Sequence, residues 1–216
     1  MSSFFKDTAG ASMVEFAIVL PVILLVALGT VDVTMMLWDW SQANKAAYRG
    51  ARIAIVTEPV ATGITSFNYD TNPLHMGDRC FLPSTGAGNV AVNCPTVETN
   101  CTSTACTGGQ TVDSNAFNQI VAAMQKIFPR LTAANVEVEY RTNGLGFYGR
   151  PGGLPMDVTV RLRCMKTQLF FLPALAGWTF SDLPDDCPAS SIEGPNMPTF
   201  SSTLTSEAMG DSTSYR

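Results

Sequence analysis

Apolar and polar positions divide this chain into three regimes. From Phe16 to Val31 no charged residue appears; Asp32 interrupts, and Val33–Trp38 resumes the apolar run. Counted as one stretch, Phe16–Leu37 is 22 residues, about 33 Å as a helix and enough to cross a hydrocarbon core. The pattern from Gly10 to Trp40 therefore predicts a membrane-spanning helix, with Trp38 and Trp40 at the level of an interfacial aromatic belt. Pro21 falls inside it and is expected to kink it or loosen a turn, which membrane helices tolerate. Beyond Trp40 the helical periodicity continues: Ala43, Ala47, Ala51 and Ala54 lie close to one stripe, and Lys45, Arg49 and Arg52 lie on other faces. Glu58-Pro59 ends it, because the residue before a proline avoids the helical region. The expectation is one long helix, half in lipid and half in a folded domain, running to Val56.

The second regime, 57–110, is rich in Gly, Pro, Thr, Ser and Asn and has little periodicity, which predicts an irregular insertion. The third is regular. Asp113 or Ser114 can cap a helix running through about Phe128, with Phe117, Ile120, Val121, Met124, Ile127 and Phe128 on one face. Strict alternation over Asn135–Arg141 and Met156–Cys164 predicts two half-buried antiparallel strands, and Thr199–Glu207 is a candidate third. Leu169–Trp178 is an apolar patch broken by Pro173. The resulting architecture is α+β: a long N-terminal helix packed on a small antiparallel sheet, with a second helix and a disulfide-rich insertion. In domain terms this predicts a transmembrane segment over 11–40, an exported domain over 41–210 and a frayed tail over 211–216.

Composition narrows the function. Charged residues make up 14% of the 216 positions, against a soluble average of roughly 25%. With a net charge of −5 there is no basic stripe to neutralise phosphates, so nucleic acid is not expected as a partner. All six cysteines (Cys80, Cys94, Cys101, Cys106, Cys164, Cys187) lie downstream of the apolar segment. An even number on one side of a span points to an oxidising compartment and up to three disulfides, with zinc or free thiols as the alternatives. No pair has the two-residue spacing of a structural zinc site. Six cysteines allow 15 connectivities; a nested-local arrangement would pair Cys80 with Cys94, Cys101 with Cys106 and Cys164 with Cys187. No metal or cofactor is expected.

No catalytic constellation emerges. His75, the only histidine, has no nucleophile or carboxylate patterned around it. Gly144-Leu-Gly146-Phe-Tyr-Gly149 matches a dinucleotide fingerprint, but Arg150-Pro151-Gly152-Gly153 follows where a helix must open, so it reads as a hairpin connection. Asp185-Asp186 lacks the further oxygen ligands of a calcium loop.

Glu15 is the acidic residue at the N-terminal edge of the apolar run. It either marks the edge of the lipid or does something there. If the chain were cut after Gly10, the new amine of Ala11 would lie one helical turn from Glu15. A carboxylate and an amine in low dielectric each need a partner, so such a pair can set the axial register between bundled subunits.

These residues carry a resemblance. Gly10-Ala11-Ser12-Met13-Val14-Glu15-Phe16-Ala17-Ile18-Val19-Leu20-Pro21 resembles the signature of TadE-like proteins, minor pseudopilins of tight-adherence (Flp-type) pili. Ala46-Ala47-Tyr48-Arg49-Gly50-Ala51-Arg52 resembles the family's small-residue continuation. The likeness covers roughly residues 10–55. It implies that residues 1–10 are a prepilin leader, that a prepilin peptidase cuts between Gly10 and Ala11, and that Glu15 and Phe16 serve subunit register and assembly. It also implies a bacterial inner-membrane protein with its N-terminus cytoplasmic and its C-terminal domain periplasmic. The partners implied are membrane lipid, the peptidase, and other pilin or pseudopilin subunits and pilus assembly proteins.

Two readings compete. In the first, the chain is a pilin-like subunit supporting pilus assembly. In the second, signal peptidase cuts after Gly29 and releases a secreted, disulfide-rich binding module. That product would leave Val33–Trp40 in water.

Overall fold

The computed structural model describes residues 8–65, 96–147, 155–173, 187 and 194–206, with side chains from Met13 onward. Its first element, α1 (Thr8–Ala54), is a single helix of 47 residues that carries Pro21 within it. It begins two residues before Gly10. It ends two residues short of Val56, where the Thr57 N–H and Oγ1 both donate to the Ile53 carbonyl (3.0 and 2.9 Å) and close the last turn. After the insertion come β1 (Glu98–Cys101), α2 (Ser114–Gln125), β2 (Val136–Thr142), β3 (Met156–Leu162) and β4 (Phe200–Ser206). The four strands form one sheet in the order β1-β2-β3-β4, every neighbour antiparallel.

The alternation along β2 and β3 does what its period dictates. Val136, Val138, Tyr140, Met156, Val158, Val160 and Leu162 are buried on one face. The other face is polar and cross-linked by charge: Arg161 reaches Glu139 at 2.5 Å and Arg163 reaches Glu137 at 3.2 Å. The second helix starts where a cap was expected, with the Asp113 Oδ1 accepting from the Asn115 and Ala116 N–H groups (2.8 and 3.2 Å). It presents Phe117, Ile120, Val121 and Met124 to the core and ends at Gln125, three residues before Phe128.

The core is sealed by the C-terminal half of α1, which packs on α2, β3 and β4. Its buried residues are nearly all small: Ala43, Ala46, Ala47, Gly50, Ala51 and Ala54. Small side chains let the backbones approach closely. A Cβ placed on Gly50 would come within 2.6 Å of the Met124 sulfur, so this glycine marks the crossing point of the two helices. Trp40 closes the same interface with an edge-on contact to Phe200, ring centroids 5.6 Å apart.

The insertion departs from the irregular segment expected over 57–110. Val60, Ala61 and Ile64 at its start are fully buried, Ala61 bridges Val112, and β1 joins the sheet beside β2. Both ends of the segment therefore belong to the core. Cys101 pairs with Cys106 and Cys164 with Cys187; Cys80, Cys94 and His75 lie outside the described residues.

Candidate functional site

Along α1 the environment changes abruptly at one point. Every side chain from Met13 to Ala27 is exposed, and Leu28 is the first that is partly covered. None of the helix's most apolar stretch is buried, which distinguishes it from the core helix of a water-soluble domain. Glu15 and Phe16 lie in this free part, exposed and, among the described residues, without a hydrogen bond or ion pair. Gly10 and Ala11 lie in its first turns.

From residue 28 onward one stripe of α1 is covered, and its first two buried members are acids. Asp32 and Asp39 are seven residues apart, two helical turns, and so share a face. Asp39 forms an ion pair with Arg130, whose guanidinium also lies over the Phe128 ring 5.4 Å from its centroid. That pair ties α1 to the turn after α2.

Asp32 is completely buried and has no basic partner among the described residues. Its carboxylate instead accepts three successive backbone N–H groups: Phe170 on Oδ1 (3.1 Å), then Phe171 and Leu172 on Oδ2 (2.9 and 2.7 Å). A carboxylate ringed by donors in this way is held as firmly as by a salt bridge. Leu172 lies over Gly29, with its Cδ2 within 3.4 Å of where a Cβ would sit. The donors belong to the connection between β3 and β4, which leaves the sheet through Cys164 in a left-handed conformation (φ 61°). The Asn135 amide donates to the carbonyls of Arg163 and Cys164 (3.2 and 2.9 Å) and fixes that exit. Met197 N–H to Met165 O, Thr167 N–H to Pro195 O, and the Cys164–Cys187 disulfide hold the base of this lip.

Elsewhere the domain offers little chemistry. A cleft of about 430 Å³ opens at the end of the sheet, beside Glu98, Arg141, Asn143 and Asp157. Its charges stand opposite one another across the strands, Glu98 against Arg141 and Arg141 against Asp157. Asp157 is already occupied by the Asn143 amide and the Thr205 hydroxyl. Tyr140, deep in the core, accepts the Val60 N–H at 2.9 Å. Burial pushes its phenol up to about 12, although that hydrogen bond acts in the opposite direction. These contacts are structural. Among the described residues no three His, Cys, Asp or Glu side chains gather as metal ligands do.

Asp32 was visible in the sequence only as a charge inside an apolar run. Its partners are backbone groups some 140 residues away, and no side-chain type announces them.

Compared with known proteins, residues 10–52 match the family described as TadE-like protein. The match begins at the glycine before the span and ends within the buried alanine stripe, so it covers both halves of α1. No curated protein and no solved structure matches the chain.

Proposed function

We propose that this TadE-like protein of the tight-adherence pilus system is a minor pilin-like subunit that supports pilus assembly through α1. The observation that carries this reading is the division of α1. Its first part is apolar, exposed and family-matched, and carries a single exposed carboxylate at Glu15. Its second part is the spine of a disulfide-bonded domain. A helix of this kind anchors the chain in the inner membrane as a single pass, with the domain on the periplasmic side where disulfides form. Cleavage after Gly10 places the amine of Ala11 one turn from Glu15. In lipid a carboxylate without a partner is costly, about 2.5–3.5 kcal/mol near the centre. Pairing with an amine of a neighbouring subunit removes that cost and sets the axial register.

N-terminal sequencing of the protein purified from membranes tests the first step. A mature chain starting at Ala11 is expected; a start at Thr30 would establish the secreted alternative, and an intact Met1 would leave a plain signal anchor. Gly10→Val should block processing, and a chain still cut at Ala11 would remove the glycine from the argument. Glu15→Ala should insert normally yet abolish pili, and unchanged piliation in that variant would end the register role. The secreted alternative is disfavoured by Val31, Val33, Met35, Leu37 and Trp38, all large, apolar and exposed. Released into water they would form an unprotected hydrophobic surface.

A further inference from the structure

The uncharged run Phe16–Val31 has 16 residues, about 24 Å of helix, which is shorter than a hydrocarbon core of roughly 30 Å. A span built from α1 must therefore take in Glu15, Asp32 or both. The two acids are prepared differently for that. Glu15 is exposed and unpartnered, whereas Asp32 is sealed under three amide donors of the outer domain. The groups that seal it are themselves apolar on the outside: Phe170 is 52% and Phe171 36% exposed. Next to Asp32 on the helix, Val31, Met35 and Trp38 follow one another at helical spacing as an exposed apolar ridge.

From these placements we infer that the lip Phe170–Leu172 is a membrane-inserted element. It is docked on Asp32, and its two phenylalanines enter the lipid of the leaflet on the domain side. The partner is the bilayer itself, at the boundary between headgroups and acyl chains where aromatic side chains concentrate. The lip does two things at once. It satisfies a carboxylate that lies at the end of the uncharged run, next to the lipid boundary, and it extends the apolar surface of the helix sideways onto the domain. Its own backbone N–H groups, which could not enter lipid unpaired, are the ones Asp32 accepts. The inference rests on reading α1 as a membrane span, and the experiment separates the two.

The full-length chain is reconstituted at one copy per nanodisc of phosphatidylcholine and phosphatidylglycerol. It is irradiated with a carbene-generating apolar photolabel dissolved in the acyl region, and labelled positions are mapped by mass spectrometry. Labelling along Met13–Ala27 reports the span, and Ser201, Thr203 and Thr205 on the exposed side of β4 report the background. Phe170 and Phe171 are expected to carry about tenfold more label than β4, because an apolar reagent concentrates where apolar surface is out of water. Asp32→Ala, with near-ultraviolet circular dichroism confirming the folded domain, should lower labelling of the lip toward background while Met13–Ala27 stays labelled. If Met13–Ala27 is labelled and the lip stays at background, the lip proposal is overturned and the span stands. If Met13–Ala27 itself is unlabelled, both fall. A lip labelled only when several copies share a disc would assign it to a second copy of the chain and overturn the lipid assignment.

Discussion

The two halves of α1 share a helix and little else. From Met13 to Ala27 the side chains are mostly large and all exposed; from Ala43 to Ala54 the buried ones are alanine and glycine, pressed against α2 and the sheet. Between them lies a transition of about four turns in which only Asp32 and Asp39 are buried outright. The first half is shaped for a solvent that has no fixed geometry, so volume and hydropathy matter and detailed fit does not. The second half is shaped for one neighbour at one distance. Its sequence is accordingly small and specific, while the first half is bulky and interchangeable.

The contrast can be broken most forcefully at the crossing point. Gly50→Leu forces a side chain into Met124 and should cost about 3 kcal/mol, the upper range for overpacking, read as a lowered thermal midpoint of the domain in micelles. If the midpoint is unchanged, the close approach of α1 and α2 is wrong. Next comes pH. The Tyr140 phenol titrates near 12 in the folded chain and near 10 when unfolded. Its folded pKa is raised, so its contribution is complete below pH 10 and is lost as pH rises from 10 to 12. The loss is on the order of 2–3 kcal/mol by linkage, since one unit is worth about 1.4 kcal/mol. Tyr140→Phe should flatten that window; alkaline melts of both proteins compare the slopes.

A smaller effect is expected at the helix cap and at the ion pair. Asp113→Ala removes the acceptor for two N–H groups and should lower stability by about 1 kcal/mol. Arg130→Met leaves the buried Asp39 carboxylate without its cation, for about 1 kcal/mol, as befits a pair with one exposed member. Both are read by chemical denaturation. At the bottom stands Val22→Leu, a change of similar kind to Gly50→Leu but made in the free half. Val22 has no partner to disturb, so the domain's midpoint should not move, and a shift of more than about 0.5 kcal/mol would deny the independence of the two halves.

Much of the fold was legible because period carries it. The alternation of Val136–Thr142 and Met156–Leu162, the Asp113 cap and the alanine stripe each state their structure locally. Strand β1 was not legible: Glu-Thr-Asn-Cys is four residues long, and its buried members are Thr99 and Cys101, which no hydrophobic pattern marks. It is a strand because β2 offers it an edge. The lip was illegible for a related reason. Leu169–Trp178 reads as an apolar patch, but what positions its first residues is an acid on another element, bonded to the backbone, where residue type leaves no trace. Glu15 is the reverse case, conspicuous in the sequence and, among the described residues, exposed without a hydrogen bond or ion pair.

A buried stripe made of alanine and glycine has a mechanical property of its own. Such a surface is nearly smooth. Sliding the helix by one turn, about 5.4 Å, would put small residues opposite much the same neighbours everywhere but at Gly50, where an incoming alanine Cβ would meet Met124, so packing resists that slip at one point of the stripe. Asp32 and Asp39 remove the degeneracy. Each has one set of partners, and a one-turn slip would separate both from them at once. The two acids act as a ratchet pawl on an otherwise slippery track, and they fix how far the exposed half of α1 stands out from the domain.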